Sequence, residues 1–216
     1  MKVFKKFLAI IILGRPGSGK DTQAKLLAKK FGLVHIISSR IIEKALKSRI
    51  NILRLESRIY NLEKESRKLS SGYLVNPALV SAFIKNEIKI NALRRFGIVM
   101  SGSPRTLREL KEETLMLENL YGKNNLYFFH VIIGPKEVYI RNLKRHRKDL
   151  PELDSKKIIK KRLEIFMRDT WPVIKLLKKQ KRIIYINGEQ SIMKIHKDII
   201  GVLEKQWQSQ SKRKEK

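Results

Sequence analysis

The chain has 216 residues, 42% of them hydrophobic, enough for one substantial core with a small insert but not for two full domains. Its 49 Lys and Arg against 20 Asp and Glu give a net charge of +29, which favours polyanions such as nucleotides, RNA and anionic surfaces. The absence of cysteine excludes disulfides, zinc-thiolate centres and cysteine nucleophiles and fits a reducing, cytoplasmic setting.

The apolar run Phe7–Leu13 reads as a strand buried on both faces. The basic stretch ahead of it imitates a secretory leader, but the run ends in glycines rather than a cleavage site. No apolar stretch approaches the roughly 20 residues that span a bilayer. Gly14-Arg15-Pro16-Gly17-Ser18-Gly19-Lys20-Asp21-Thr22 follows, and then Ala24, Leu27, Ala28 and Phe31 mark one face of a helix. A glycine-rich turn between strand and helix, ending in lysine and a hydroxyl residue, is a phosphate-binding loop. Its N–H groups and the helix N-terminus face an anion, Lys20 bridges outer phosphates, and Thr22 offers a hydroxyl to Mg²⁺.

This stretch resembles the G-x-P-G-x-G-K-x-T-Q loop of the adenylate kinase and nucleoside monophosphate kinase family in Gly14, Pro16, Gly17, Gly19, Lys20, Thr22 and Gln23. Asp21 departs from the small residue usual there. It screens Lys20, lends a carboxylate near the metal, or is only a helix-start residue favoured by the dipole.

Leu33–Ile37 is a second strand, with His35 read as structural. By the resemblance, Ser38 and Ser39 keep the hydroxyls of a monophosphate-seating segment whose glycine and acid are replaced by Arg40 and Ile41. Lys44 stands where the family commonly has a phosphate-binding arginine, keeping the charge without the fork. Residues 41–70 read as helix, broken near Asn51, with Ile52, Leu55, Ile59, Leu62 and Leu69 at 3-4 spacing. Ser71–Pro77 ends it. Tyr73, Leu74 and Val75 resemble the family's segment lining the substrate base. A helix follows over 78–94, with Leu79, Phe83, Ile84, Ile88 and Leu93 as core candidates.

Gly97–Met100 is the third strand and runs into Ser101-Gly102-Ser103-Pro104-Arg105-Thr106. The family has D-G-F-P-R-T here, so the resemblance makes Arg105 the cation on the acceptor's phosphate, at a strand's carboxyl end where α/β sheets bind ligands. Ser101 replaces the aspartate that helps hold the Mg²⁺ hydration shell, and Glu109 stands where a glutamine often reads adenine. A helix over 107–121 leads to the strand Leu126–Ile133, whose aromatics read as core.

The helix opening at Pro135 carries Arg141 and Arg145 on one face. With Arg147 they resemble the root of the family's lid, here short and without zinc ligands. Asp154 or Ser155 caps the next helix. Arg162-Leu163 and Thr170-Trp171-Pro172 match family spacing and turn Arg162 toward the phosphates. Arg182–Ile186 is the last strand, Gln190 lies in a loop near the ATP adenine, and the final helix runs to Gln208.

These elements form an α/β, doubly wound five-stranded parallel sheet. Residues 1–208 are one P-loop kinase domain with a monophosphate-binding insert over 38–96 and a lid over 146–154; 209–216 is a disordered basic tail. The resemblance implies an ATP- and Mg²⁺-dependent nucleoside monophosphate kinase, with AMP as first acceptor, acting as a monomer. The alternatives are an ATP-binding protein associated with RNA or the ribosome through its basic surface, and a kinase for another phosphorylated acceptor.

Overall fold

The computed structural model describes residues 7–47, 51–55, 58–145 and 154–214. A five-stranded parallel sheet forms its centre, in the order β2-β5-β1-β6-β7. The strands are β1 (Ala9–Gly14), β2 (Val34–Ile37), β5 (Ile98–Ser101), β6 (Leu126–Ile132) and β7 (Ile183–Asn187). Each lies within a residue or two of the stretch its apolar pattern predicts. Every residue of β1 is buried. Alternation splits the strand between two cores: Ile11 and Leu13 join Leu79, Ile84, Ile88 and Phe128 on one face, while Ile10 and Ile12 join Leu27, Phe129 and Ile199 on the other.

Helices cover both faces. Helix α1 (Lys20–Phe31) and α9 (Ile192–Lys214) pack on the second core. On the first face lie α4 (Pro77–Leu93), α5 (Leu107–Tyr121) and α8 (Trp171–Lys179). The start of α4 is set by Asn76, whose side chain accepts from the Ala78 N–H at 2.9 Å, and by Pro77 at the first helical position. Leu79, Ile84 and Ile88 are fully buried as expected, but Leu93 is 71% exposed because Asn91 and Ala92 hold the buried side of the last turn of α4.

The helix expected over 41–70 is three elements. Helix α2 (Ser38–Leu46) ends early, an antiparallel hairpin of β3 (Ile52–Leu55) and β4 (Arg58–Asn61) follows, and α3 (Leu62–Ser70) closes the insert. Ile52, Leu55 and Ile59 satisfy helical spacing but are also β-branched or apolar residues in a short alternating run, and strand pairing wins. Tyr60 then turns inward and Ile59 outward, at 6% and 65% exposure. Asn61 ends β4 and caps α3, accepting from Lys64 N–H at 2.8 Å.

The disordered tail expected from Ser209 is also corrected, since α9 continues to Lys214. No Gly or Pro interrupts 202–214, and Gln210 Nε2 donates to Asn124 O at 2.9 Å. Trp207 anchors this end edge-on against Phe31, with ring centroids 5.4 Å apart. The basic stretch 1–6 and most of the expected lid, 146–153, fall outside the described residues. Helix α6 (Pro135–Leu143) precedes that lid and α7 (Lys156–Ile165), capped by Ser155, follows it; a π-helical turn, Phe166–Thr170, joins α7 to α8. Among the described residues no helix is long and apolar enough to cross a membrane.

The hairpin makes a ranking testable by urea unfolding. Tyr60→Ala is expected to cost about 3 kcal/mol and Ile59→Ser no more than about 0.5 kcal/mol. The reverse ranking would restore a continuous helix with Ile59 on its buried face.

Candidate active site

Two loops and the start of α2 leave the carboxyl ends of adjacent strands at one level, because Ile12 and Ile37 both register with Ser101. The first is the glycine-rich loop after β1. Gly17 has φ 80°, and a Cβ there would lie 2.5 Å from Asn142 Nδ2. Asn142, fully buried in α6, donates that amide to Pro16 O at 3.2 Å and so holds the loop from beneath. Arg15 reaches Ile133 O at 2.5 Å, and Lys20 Nζ lies 3.4 Å from Arg15 O. Ser18 is fully buried within the loop.

The second loop follows β5. Gly102, at φ 87°, leaves no room for a side chain against Ser38 Oγ and Arg105. Arg105 donates its Nε–H to Gly102 O at 2.7 Å, which aims the guanidinium across the cleft. Two buried carboxyls brace this loop. Glu109 accepts from Arg105 N–H at 2.7 Å and from Thr106 Oγ1–H at 3.2 Å. Ser103 Oγ lies 3.1 Å from Glu109 and 2.5 Å from Glu113. Burial pushes the Glu113 carboxyl well up, reinforced by the Glu109 charge. Burial pushes Glu109 up as well, against the pull of its bonds to Arg105.

The cleft has three joined parts. Its outer part is lined by Gly17, Gly19, Asp21, Thr22, Arg141 and Gln190. Arg141 pairs with Glu137 at 2.6 Å and donates to Gly188 O at 2.8 Å, tying α6 to the loop that carries Gln190. Gln190 is itself anchored on Asn187 O and Asp198 at 2.9 and 2.7 Å. The central part gathers Lys20, Asp21, Arg40, Arg105, Arg145 and Arg162. The inner, more apolar part is bordered by Ser38, Ser39, Tyr73, Leu74, Val75, Gly102 and Glu109, while Pro16 and Pro104 border the centre.

Burial lowers Lys20 to about 8; Asp21 opposes this, and Arg105, Arg162 and Arg145 add to it. The oxygens near Lys20, the Thr22 hydroxyl and the Asp21 carboxylate, are hard donors of the kind Mg²⁺ takes. Among the described residues no group of three His, Asp or Glu could hold a metal alone. Mg²⁺ bound with a nucleotide needs only one or two protein oxygens beside the phosphates, so the site fits it.

Sequence and structure differ at several places. Lys44 is exposed on α2 and borders none of these spaces, whereas Arg40, one turn earlier, does. Arg145 sits in the turn after α6 rather than on its face. Glu109 borders the inner space at 2% exposure with its oxygens engaged within its own loop, so no free carboxylate faces a base. Ser103 is buried beneath its loop. Arg147 lies outside the described residues. Asn142 went unnoticed in the sequence; its only signal was a polar residue on the apolar face of α6.

The Glu113 environment gives a pH prediction. A carboxyl whose folded pKa is raised stabilises fully below its unfolded pKa and progressively less as pH rises toward the folded one. Glu113→Gln stays neutral, so its melting temperature is expected to gain on the parent chain between pH 5 and pH 8. An unchanged difference across that range would place an ionised carboxylate there.

Comparison with known proteins agrees with this geometry. The family profile described as Adenylate kinase matches residues 12–182. Adenylate kinase 1 of Nostoc sp. is 30% identical over 182 residues, covering 84% of this chain and 91% of that protein. The adenylate kinase of Bacteroides thetaiotaomicron is 26% identical over 92% of this chain and 99% of its own length. That of Rickettsia akari is 29% identical over 91% and 99%. With the loop, sheet order and cation cluster in place, the chain belongs to the adenylate kinase family.

Proposed function

We propose that the chain is a phosphotransferase that moves the γ-phosphoryl group of ATP to a nucleoside monophosphate, AMP first: ATP + AMP giving two ADP. The observation that carries this reading is the convergence of Lys20, Arg105, Arg145 and Arg162 on one cleft, between an outer space beside the glycine-rich loop and an inner apolar one.

The outer space takes ATP. The loop N–H groups and Lys20 hold its phosphates, and Arg141 and Gln190 border the base. Thr22 would hold Mg²⁺, with the Asp21 carboxylate beside it. When bound, the ion neutralises charge on the transferring group. The inner space takes the monophosphate, with its base among Tyr73, Leu74 and Val75 and its phosphate on Arg105. Ser38 and Ser39 contribute hydroxyls at that end. The acceptor phosphate oxygen attacks in line, while Arg145 and Arg162, with Arg147 from outside the described residues, carry the charge on the equatorial oxygens. Little acid–base help is needed, since such transfer runs on positioning and charge. Glu109 and Glu113 act through Arg105, by fixing the loop that aims it.

The test is nucleoside diphosphate formation from ATP and Mg²⁺ with AMP, UMP, CMP and GMP in turn. AMP turnover that disappears in Lys20→Ala is expected. ATP binding without transfer to any monophosphate would overturn the reading in favour of a binding protein. Arg105→Ala should raise the KM for AMP about 10–150-fold, the loss of a charged hydrogen bond worth about 1.5–3 kcal/mol.

A pH profile follows from Lys20. Its protonated form binds polyphosphate, and bound phosphate raises its pKa. ATP affinity, read by calorimetry, is therefore expected to be flat below the free protein's value of about 8 and to fall up to tenfold per pH unit above it. A profile flat to pH 10 would show that Lys20 is not depressed.

A further inference from the structure

We propose that Asp21 is the carboxylate that orients the water shell of nucleotide-bound Mg²⁺ in this chain, and that Ser101 and His35 are positioning residues that fix it. The proposal deepens the ATP and Mg²⁺ reading above and rests on it.

Asp21 is the second residue of α1, between Lys20 and Thr22, and borders both the outer and the central parts of the cleft. Its carboxylate neighbours the hydroxyl of Ser101, the buried last residue of β5, and the two line the central part together. Ser101 Oγ in turn lies 2.9 Å from His35 Nε2 on β2. An ionised carboxylate only accepts, so in this proposal the Ser101 hydroxyl gives its single proton to Asp21. Its oxygen then accepts from His35 Nε2–H, which sets the tautomer of that ring. Lys20 and Arg145 act on the same carboxylate. Burial keeps His35 low, hence neutral. A carboxylate thus stands beside a buried serine–histidine pair at the phosphate end of the cleft.

A carboxylate there is hard to explain by phosphate binding alone. It removes one positive charge from a site built to attract polyphosphate and lies beside the lysine that must hold it. It becomes favourable when a divalent cation with its water stands between carboxylate and phosphate oxygens. The other acidic side chains bordering the cleft do not serve. Glu109 is consumed by its own loop, and Glu43 lies on α2 beside Arg40 in the central part only.

The experiment is calorimetric ATP binding to the full chain, with Mg²⁺ and with EDTA, and without any acceptor. The variants are Asp21→Asn, Ser101→Ala, and the pair Asp21→Gly with Ser101→Asp. Asp21→Asn keeps the shape and the Ser101 contact but removes the charge. It should lose about tenfold or more of the affinity gained from Mg²⁺, while metal-free ATP binds as tightly as before or tighter. Ser101→Ala should lose part of the gain. Because Ser101 and Asp21 are neighbours lining the same space, the paired exchange should place a carboxylate in nearly the same region and recover most of the gain. Asp21→Asn tightening ATP equally with and without Mg²⁺ would reduce Asp21 to screening Lys20 and overturn the proposal. Unchanged binding under both conditions would make it a helix-start residue and overturn it too. If the parent chain binds no ATP in either buffer, the nucleotide reading itself falls, and that outcome is distinct from both.

Discussion

Holding like charges together is the constraint on which this cleft depends. Lys20, Arg105, Arg145 and Arg162 stand close enough that the arginines help to lower the lysine. Such a cluster persists only where the surrounding backbone fixes each member. Gly102 O takes Arg105, Arg15 O lies within reach of Lys20, and Gly188 O takes the neighbouring Arg141. The same crowding becomes attraction when a polyphosphate enters, because the cations are already aimed and need not reorganise. Asp21 tempers the repulsion from within the loop.

The parallel sheet makes this convergence possible. Ile12 of β1 and Ile37 of β2 both register with Ser101 of β5, so the loops after β1 and β5 and the helix that begins at Ser38 start at one height. A two-residue slip of β5 would move its loop by about 6.6 Å and carry Arg105 out of reach of Lys20. Alternate faces of β1 bury in two separate cores, which resists such a slip by anchoring both sides at once. The register therefore belongs to the chemistry as much as to stability. Asn142 adds a cross-link from α6 to the underside of the glycine-rich loop.

What could be read from the sequence was whatever depends on short-range pattern. The strands of the main sheet are apolar runs flanked by Gly, Pro or charge, and the two glycine loops are contiguous motifs. The insert was opaque for a physical reason. Ile52, Leu55 and Ile59 fit a helical stripe and a hairpin about equally, and only the inward turn of Tyr60 distinguishes them. Arg40 and Lys44 lie one turn apart on α2, so which one borders the cleft depends on the angle at which that helix leaves β2. The roles of Glu109, Glu113 and Ser103 were hidden because a buried carboxyl pair is a tertiary fact; no spacing rule marks it. The tail misled because a polar, basic composition says nothing of the anchor that Trp207 and Gln210 provide.

The substitutions that make the chain unusual share a logic. Phosphoryl transfer asks for charge at a place, with little demand on which element supplies it. A strand end carrying serine and a helix start carrying aspartate present one carboxylate to one region, since the two side chains line the same part of the cleft across the β5–α1 contact. A guanidinium at Arg40 can likewise stand where a side chain from the next turn of α2 does not reach. The glycines at 17 and 102 have no such freedom: each sits at positive φ with no space for a Cβ, and no other element could supply that backbone path. Side-chain charge can migrate around this cleft between neighbouring elements, whereas its backbone path cannot.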